Sequence, residues 1–473
     1  MHVVFIHGWS IRSTATYGEL PLYLKAQAAA GKLDVTVNEV LLGKYVSFED
    51  TVSIDDIARA FDAALRDHPA LSIALAKGER FACITHSAGA PVVRQWMRRF
   101  HARNLGKCPF SHLIMIAPAS HGSALAQLGK STLARIKGHF DGIEPGKRVL
   151  DWLELGSEQS WTLNEEWLDY DLVGNGIFSF VLQGQSIDRK LYDVLNSYTD
   201  ETGSDGVMRV AAANMNYALV SLRETDKGLR FDRVQRSPRT AFAILPGLAH
   251  SREEIGIIRS VTLANAASHP TTKAVLRCLK VKSTSAYAAV VKEFDALSAE
   301  TQKDELTRRA KTGPFNRTFK TYPCSMLVFR ILDDTGLPVT DYDLRFTAGK
   351  EYDDNALPPG FFIDRQRNQL NPGKLTYYLN HPVLMEGLND RLDGRLGINI
   401  TARPDEGLAR YGTASFRGTR DDIVKTIRPN ETVMIEIMLR RKVDRQVFTL
   451  TDKLDAPEAI SGAPSGKLVR APA

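Results

Sequence analysis

Residues 81–93 read FACITHSAGAPVV, and the fold turns on them. Phe81 to Ile84 is a short apolar run of the kind that makes a buried strand. Pro91 to Arg103 carries Val92, Val93, Trp96 and Met97 on one helical face. Ser87 sits where the two must join. A serine hydroxyl is a poor nucleophile until a base takes its proton, and a sharp strand-to-helix turn is how a fold exposes one. Such a turn crowds its neighbours, so they must be small. Ala88 and Gly89 meet this need on one side, but Thr85 occupies the position of the first glycine in G-x-S-x-G. The plainer alternative is a serine that caps the helix running from Ala88 to Arg103.

Reading outward, Val3 to Ile6 is another short apolar strand, ending at His7-Gly8. Ser53 to Ala76 reads as a helix. Ser53 and Asp56 resemble a capping box at its start, and Ile54, Ile57, Ala58, Phe61 and Leu65 share a face. His112 to Ile116 is the strand after the Ser87 helix. Strands alternating with helices predict a parallel sheet covered on both faces. From Leu125 to about Asp171 the chain is helix-rich and holds Trp152, Trp161 and Trp167. Strands resume at Ile177–Gly184, at NYALVSL (216–222) and at Arg239–Gly247, with helices following to about Lys311. Beyond Thr312 the pattern changes to alternating strands between Gly, Pro, Asp and Asn turns. The expected organisation is an α/β unit over residues 1–315 with a helical insertion at about 125–171. An all-β sandwich at 319–450 and a disordered Pro/Ala/Gly/Ser-rich tail at 451–473 follow.

Composition fits a soluble globular protein: 473 residues, 43% hydrophobic and 25% charged, long enough for two or three domains. Lys and Arg number 61 against 55 Asp and Glu, a net charge of +6 too diffuse to indicate nucleic-acid binding. Cys83, Cys108, Cys278 and Cys324 form no CxxC pair and no zinc spacing, which points to reduced core thiols and a reducing compartment. The opening MHVVFIHGWS lacks a basic n-region and a long apolar h-region, and no apolar run reaches the ~20 residues of a membrane span. The expectation is a protein that is cytoplasmic as synthesised, with any export by a leaderless route.

Several segments in chain order resemble the α/β-hydrolase superfamily, and within it bacterial lipases and phospholipases, over about Met1 to Ile258. VVFIHGWS (3–10) resembles the oxyanion-loop strand, and ITHSAGAPVVR (84–94) the nucleophile turn. MIAPASHGSALA (115–126) is similar to a P-H-x-G-S segment, with altered spacing. LELGSEQSWTLNEEW (153–167) resembles the end of a lid insertion, GSDGVMRVAAANM (203–215) an acid loop, and LPGLAHSREEIG (245–256) a histidine loop. The resemblance implies an α/β-hydrolase fold with a helical lid and a Ser-His-Asp triad. Ser87 would be nucleophile, Asp205 acid and His250 base, with the amides of Trp9 and Ala88 as the oxyanion hole and no cofactor or metal. Asp205 and His250 lie 45 positions apart, a wide gap that a charged insertion near Arg223 to Pro238 could fill. Asp188 is the next candidate acid, then Asp200. Of the other histidines, His86 adjoins the nucleophile, His139 falls in the insertion and His269 precedes Pro270.

The insertion carries Leu125, Leu128, Leu133, Ile136, Phe140, Ile143, Leu150, Trp152, Leu153 and Leu155 beside Lys130, Arg135, Lys137, Lys147 and Arg148. An apolar face with a basic rim suits a lid that meets an anionic lipid surface; the alternative is a packed helical cap with solvated lysines. The expected activity is serine-dependent hydrolysis of a lipid ester, as in a lipase or phospholipase A, in keeping with a toxin-like enzyme exported without a leader. Alternatives are a soluble carboxylesterase or thioesterase, or a non-catalytic binding protein on a hydrolase scaffold. Oligomeric state is left open.

Overall fold

The computed structural model describes residues 1–7, 14–42, 49–127, 146–187, 202–305, 308–312, 315–319, 321–390, 392–404 and 409–443. The expected tail, Gly8 and Trp9, residues 128–145 of the insertion, and Asp188, Asp200 and His139 lie outside them. The first eight strands are β1 (His2–His7), β2 (Thr36–Leu41), β3 (Phe81–His86), β4 (Phe110–Ile116), β5 (Phe178–Gln183), β6 (Tyr217–Thr225), β7 (Gly228–Arg236) and β8 (Ala241–Ile244). Six of them form one sheet in the order β2-β1-β3-β4-β5-β8, with every pairing parallel. Strand residues alternate between its faces. Val4, Ile6, Phe81, Cys83, Leu113 and Met115 enter one core. Val3, Phe5, Ala82, Ile84, Ile114 and Ile116 enter the other.

Helices cover both faces. On the first lie α2 (Ile54–Asp67), α4 (Gly89–His101), α5 (Lys147–Leu153) and α6 (Glu158–Trp167). On the second lie α1 (Leu20–Ala29), α8 (Pro270–Leu279) and α9 (Thr284–Glu305). The Ser53 capping box forms, but the expected helix to Ala76 breaks at His68, where Pro69 opens α3 (Pro69–Ala76). Trp152, Trp161 and Trp167 are buried in the first core, so residues 146–171 of the insertion form a packed cap, with Lys147 and Arg148 exposed. All four cysteines are buried and none is in a disulfide.

The remaining strands are β9 (Arg308–Thr312) and β10 (Phe315–Phe319), a hairpin, then β11 (Cys324–Asp333), β12 (Tyr342–Ala348), β13 (Phe362–Arg367), β14 (Lys374–Asn380), β15 (Arg395–Ala402), β16 (Ala409–Arg410), β17 (Thr413–Thr419), β18 (Thr432–Leu439) and β19 (Lys442–Val443). Two sheets, β13-β14-β11-β18-β6-β7 and β12-β15-β17, enclose a third core. The β6–β7 hairpin is the difference from the sequence reading. It lies between Asp205 and His250 in the chain, accounts for their wide spacing, and pairs through β6 with β18, parallel and in register from Tyr217–Thr432. The central strands of the larger sheet, β14, β11, β18 and β6, are therefore largely buried on both faces. Leu327, Phe329, Tyr377 and Val433 face the sandwich core, whereas Met326, Val328, Tyr378 and Met434 join the core beneath the Ser87 helix. The helix α7 (Val210–Ala213) lies in that junction.

Candidate active site

The link between β3 and α4 is a tight bend. Ser87 has φ 52°, a left-handed conformation that an L-residue adopts only under strain, and its amide donates to the carbonyl of Ile116 at the end of β4. Thr85 stands where a glycine was expected and is fully buried; a Cβ built on Gly89 would lie 3.6 Å from the Thr85 Cβ, an ordinary contact, so strand and helix pack here without a clash. No side chain caps α4, and among the described residues no acceptor engages the Ala88 amide. Its expected partner Trp9 lies outside the described residues.

Asp205 occupies a loop that its own carboxylate shapes. Oδ1 accepts from the amides of Val207 at 3.0 Å and Met208 at 2.7 Å, while Gly206, at φ 95°, makes the reversal. Oδ2 accepts from His250 Nδ1 at 3.0 Å and from Gln183 Nε2 at 2.8 Å. The His250 amide also donates to the Asp205 carbonyl, so the acid and base loops are joined twice. His250 Nε2 lies 3.1 Å from Ser87 Oγ. Asp205 is 2% exposed and His250 5%, so water competes little for these bonds. A carboxylate at Nδ1 favours the tautomer with its proton there, which makes Nε2 the acceptor facing Ser87 Oγ. The structure thus brings Ser87, His250 and Asp205 into one hydrogen-bonded chain at the carboxyl ends of the parallel strands.

The other histidines do different work. The His86 ring packs 4.9 Å from that of His250, and burial, followed by the nearness of His250, holds it well below the usual histidine range. It is a neutral neighbour of His250. His269 caps α8 and meets Ser260 Oγ at 2.9 Å, far from Ser87 in role. Gln183 was not anticipated from the sequence. Its position at the end of β5, where ligands gather in parallel sheets, is the signal that could have found it. The segment 118–123 lies between the acid loop and the cap: Ser123 Oγ donates to Val207 O, and the Ser123 amide to Leu153 O, both at 2.7 Å.

A separate cleft of about 900 Å³ lies between α2, α4 and the cap, lined by Asp55, Arg98, Arg99, Trp152, Glu158 and Glu166 among others. Ser87 is not in its lining, and its charges pair across it, Arg98 with Glu166 and Arg99 with Asp55.

Two solved structures of the phospholipase PlaB from Legionella pneumophila share this architecture, each with a TM-score of 0.89. The one in complex with thio-NAD is 51% identical, and the match covers 100% of this chain and 99% of that one. The other is 53% identical, with 99% and 100% covered. The chain belongs to the PlaB phospholipase family. The all-β part is as much a member as the α/β part, because the match to PlaB runs the whole length of both chains. No protein-family model matches the chain, and no curated protein sequence does.

Proposed function

We propose that this PlaB-family protein is a lipid ester hydrolase of phospholipase A type in which Ser87 is the nucleophile, His250 the base and Asp205 the acid. The observation that carries the assignment is the unbroken path from Ser87 Oγ through His250 to Asp205, 3.1 and 3.0 Å long, starting at a serine held at positive φ. Full-length similarity to a phospholipase supports the substrate class.

The chemistry follows from the geometry. His250 Nε2 takes the Ser87 proton as the oxygen attacks the ester carbonyl, and the amides of Ala88 and Trp9 receive the oxyanion, each worth about 2.7–4 kcal/mol. The Asp205 carboxylate stabilises the imidazolium. His250 then protonates the departing alcohol, and water, activated by the same imidazole, releases the fatty acid and restores Ser87. On the packed cap the exposed Lys147 and Arg148 offer cations to an anionic lipid surface. Among the described residues no helix is long and apolar enough to cross a membrane.

The test is lipid analysis after incubating anionic phospholipid vesicles with the protein and with its Ser87→Ala form. Release of fatty acid and lysophospholipid that Ser87→Ala abolishes is expected. Turnover of soluble short-chain esters alone, with vesicles left intact, would instead indicate a soluble esterase.

A further inference from the structure

The loop that carries Asp205 is held at both ends of its neck by the C-terminal sheet. Ser204 and Arg209 bridge, and the Val210 amide donates to the Gly203 carbonyl at 2.8 Å, closing the neck with Asp205 inside it. On one side of the neck, the Tyr378 hydroxyl of β14 lies 2.9 Å from the Gly203 carbonyl and 3.1 Å from that of Thr202. The approach is close enough to require a glycine: a Cβ on Gly203, which has φ +72°, would lie 2.7 Å from that hydroxyl and 3.1 Å from Cys324 Sγ. On the other side, the Arg209 guanidinium, 2% exposed, lies 4.2 Å over the Tyr378 ring and pairs with Asp364 of β13. The attachment continues along α7, where Thr432 Oγ1 donates to Ala211 O and Asn214 Nδ2 to Asn430 O, both at 2.8 Å.

We infer that the C-terminal sheet is part of the catalytic apparatus, with Tyr378 and the Arg209–Asp364 pair as positioning residues that set the acid loop against the base. The inference rests on Asp205 and His250 having the roles proposed above. Among the described residues, the hydrolase side engages the loop beyond its neck. The contacts made there, His250 amide to Asp205 carbonyl and Ser123 hydroxyl to Val207 carbonyl, hold the tip of the loop. A loop held at its tip alone can rock about that contact, and a displacement of about 1 Å at a reacting geometry costs on the order of a hundredfold in rate. Neighbouring tyrosines separate positioning from mere packing. Tyr377 is also buried, but its hydroxyl donates to Leu344 O at 3.1 Å inside the sandwich and touches no part of the acid loop.

The experiment compares Tyr378→Phe, Tyr377→Phe, Asp364→Asn and Ser87→Ala in the full-length protein. It measures kcat and KM on a soluble ester from pH 5 to 9, with a melting temperature for each variant. Tyr378→Phe and Asp364→Asn are each expected to lower kcat about tenfold with KM unchanged, on the scale of one lost buried hydrogen bond. The acid limb of the kcat profile moves to lower pH, because a carboxylate set less firmly against the imidazolium stabilises it less. Tyr377→Phe keeps kcat within about twofold of the parent whatever stability it loses. If Tyr378→Phe and Asp364→Asn match Tyr377→Phe in kcat and in profile while Ser87→Ala is inactive, the positioning role is overturned and the triad stands. If Ser87→Ala stays active, it is the triad that falls. Should Tyr378→Phe fail to fold, Asp364→Asn reads the same loop from its other side.

Discussion

Exchanging Asp205 for Asn changes one heavy atom and reverses the hydrogen-bond polarity behind the base. The carboxylate accepts four bonds: two backbone amides on Oδ1, and His250 and Gln183 on Oδ2. An asparagine whose oxygen keeps the two amides must aim its NH2 at His250 Nδ1 and Gln183 Nε2, both of them donors. The opposite amide rotamer sets the NH2 against the two backbone N–H groups, which cannot move. The first arrangement is the lesser conflict, and His250 resolves it by taking the tautomer with its proton on Nε2. That nitrogen then faces Ser87 Oγ at 3.1 Å as a donor, and the base is lost. The expected fall in kcat is about 10⁴, or roughly 5.4 kcal/mol of transition-state stabilisation. The loop itself survives, since its two amide bonds are kept, so KM on a soluble chromogenic ester and the melting temperature change little. Steady-state kinetics on the parent and Asp205→Asn, side by side with thermal melts, check this. A variant that folds and retains kcat within tenfold of the parent would refute the role given to Asp205.

Two further outcomes follow from buried groups near the site. Burial, then the nearby Arg94 cation, lowers His121 to about 3, and its ring meets the edge of Tyr217 at 4.8 Å. Below the unfolded value of about 6.5 the unfolded chain binds a proton that the folded one refuses, so this group's contribution, full above about 6.5, is lost as pH falls toward 3; by pH 5 the loss is about 2 kcal/mol. Melting temperatures from pH 7 to 5 should fall less steeply in His121→Asn, and an unchanged slope would count against it. Gln183→Met removes one donor from the Asp205 oxygen that also serves His250, leaving that oxygen freer to stabilise the imidazolium, so the acid limb of the rate profile is expected to move to higher pH. A profile that does not move would show that Gln183 does nothing for the base.

What the sequence disclosed was the local part of the design. FACITHSAGAPVV could be read because the strand, the bend and the helix are contiguous, each with its own periodicity, and the small residues beside Ser87 mark the bend. Asp205 and His250 were legible from the resemblance of their loops and from chain order. What stayed hidden was non-local. Nothing in NYALVSL says that β6 pairs with β18, whose Thr432 faces Tyr217 across more than two hundred residues, because a buried strand reads the same whichever sheet it enters. Tyr377 and Tyr378 look alike in the sequence, and only the pleat of β14 sends one into the sandwich and the other to the acid loop. The cap tryptophans were read correctly as apolar, but amphipathic pattern alone does not distinguish a lid from a packed layer; burial of Trp152, Trp161 and Trp167 decides it for the described part.

The most direct measurement is to treat the folded protein with a fluorophosphonate and map the adduct by peptide mass spectrometry. Phosphorus attack needs the same deprotonated hydroxyl and the same waiting amides as ester hydrolysis. A single adduct on Ser87 is expected, absent from Ser87→Ala and formed far more slowly in His250→Asn. Labelling of another serine with loss of lipid hydrolysis, or undiminished activity in Ser87→Ala, would contradict it.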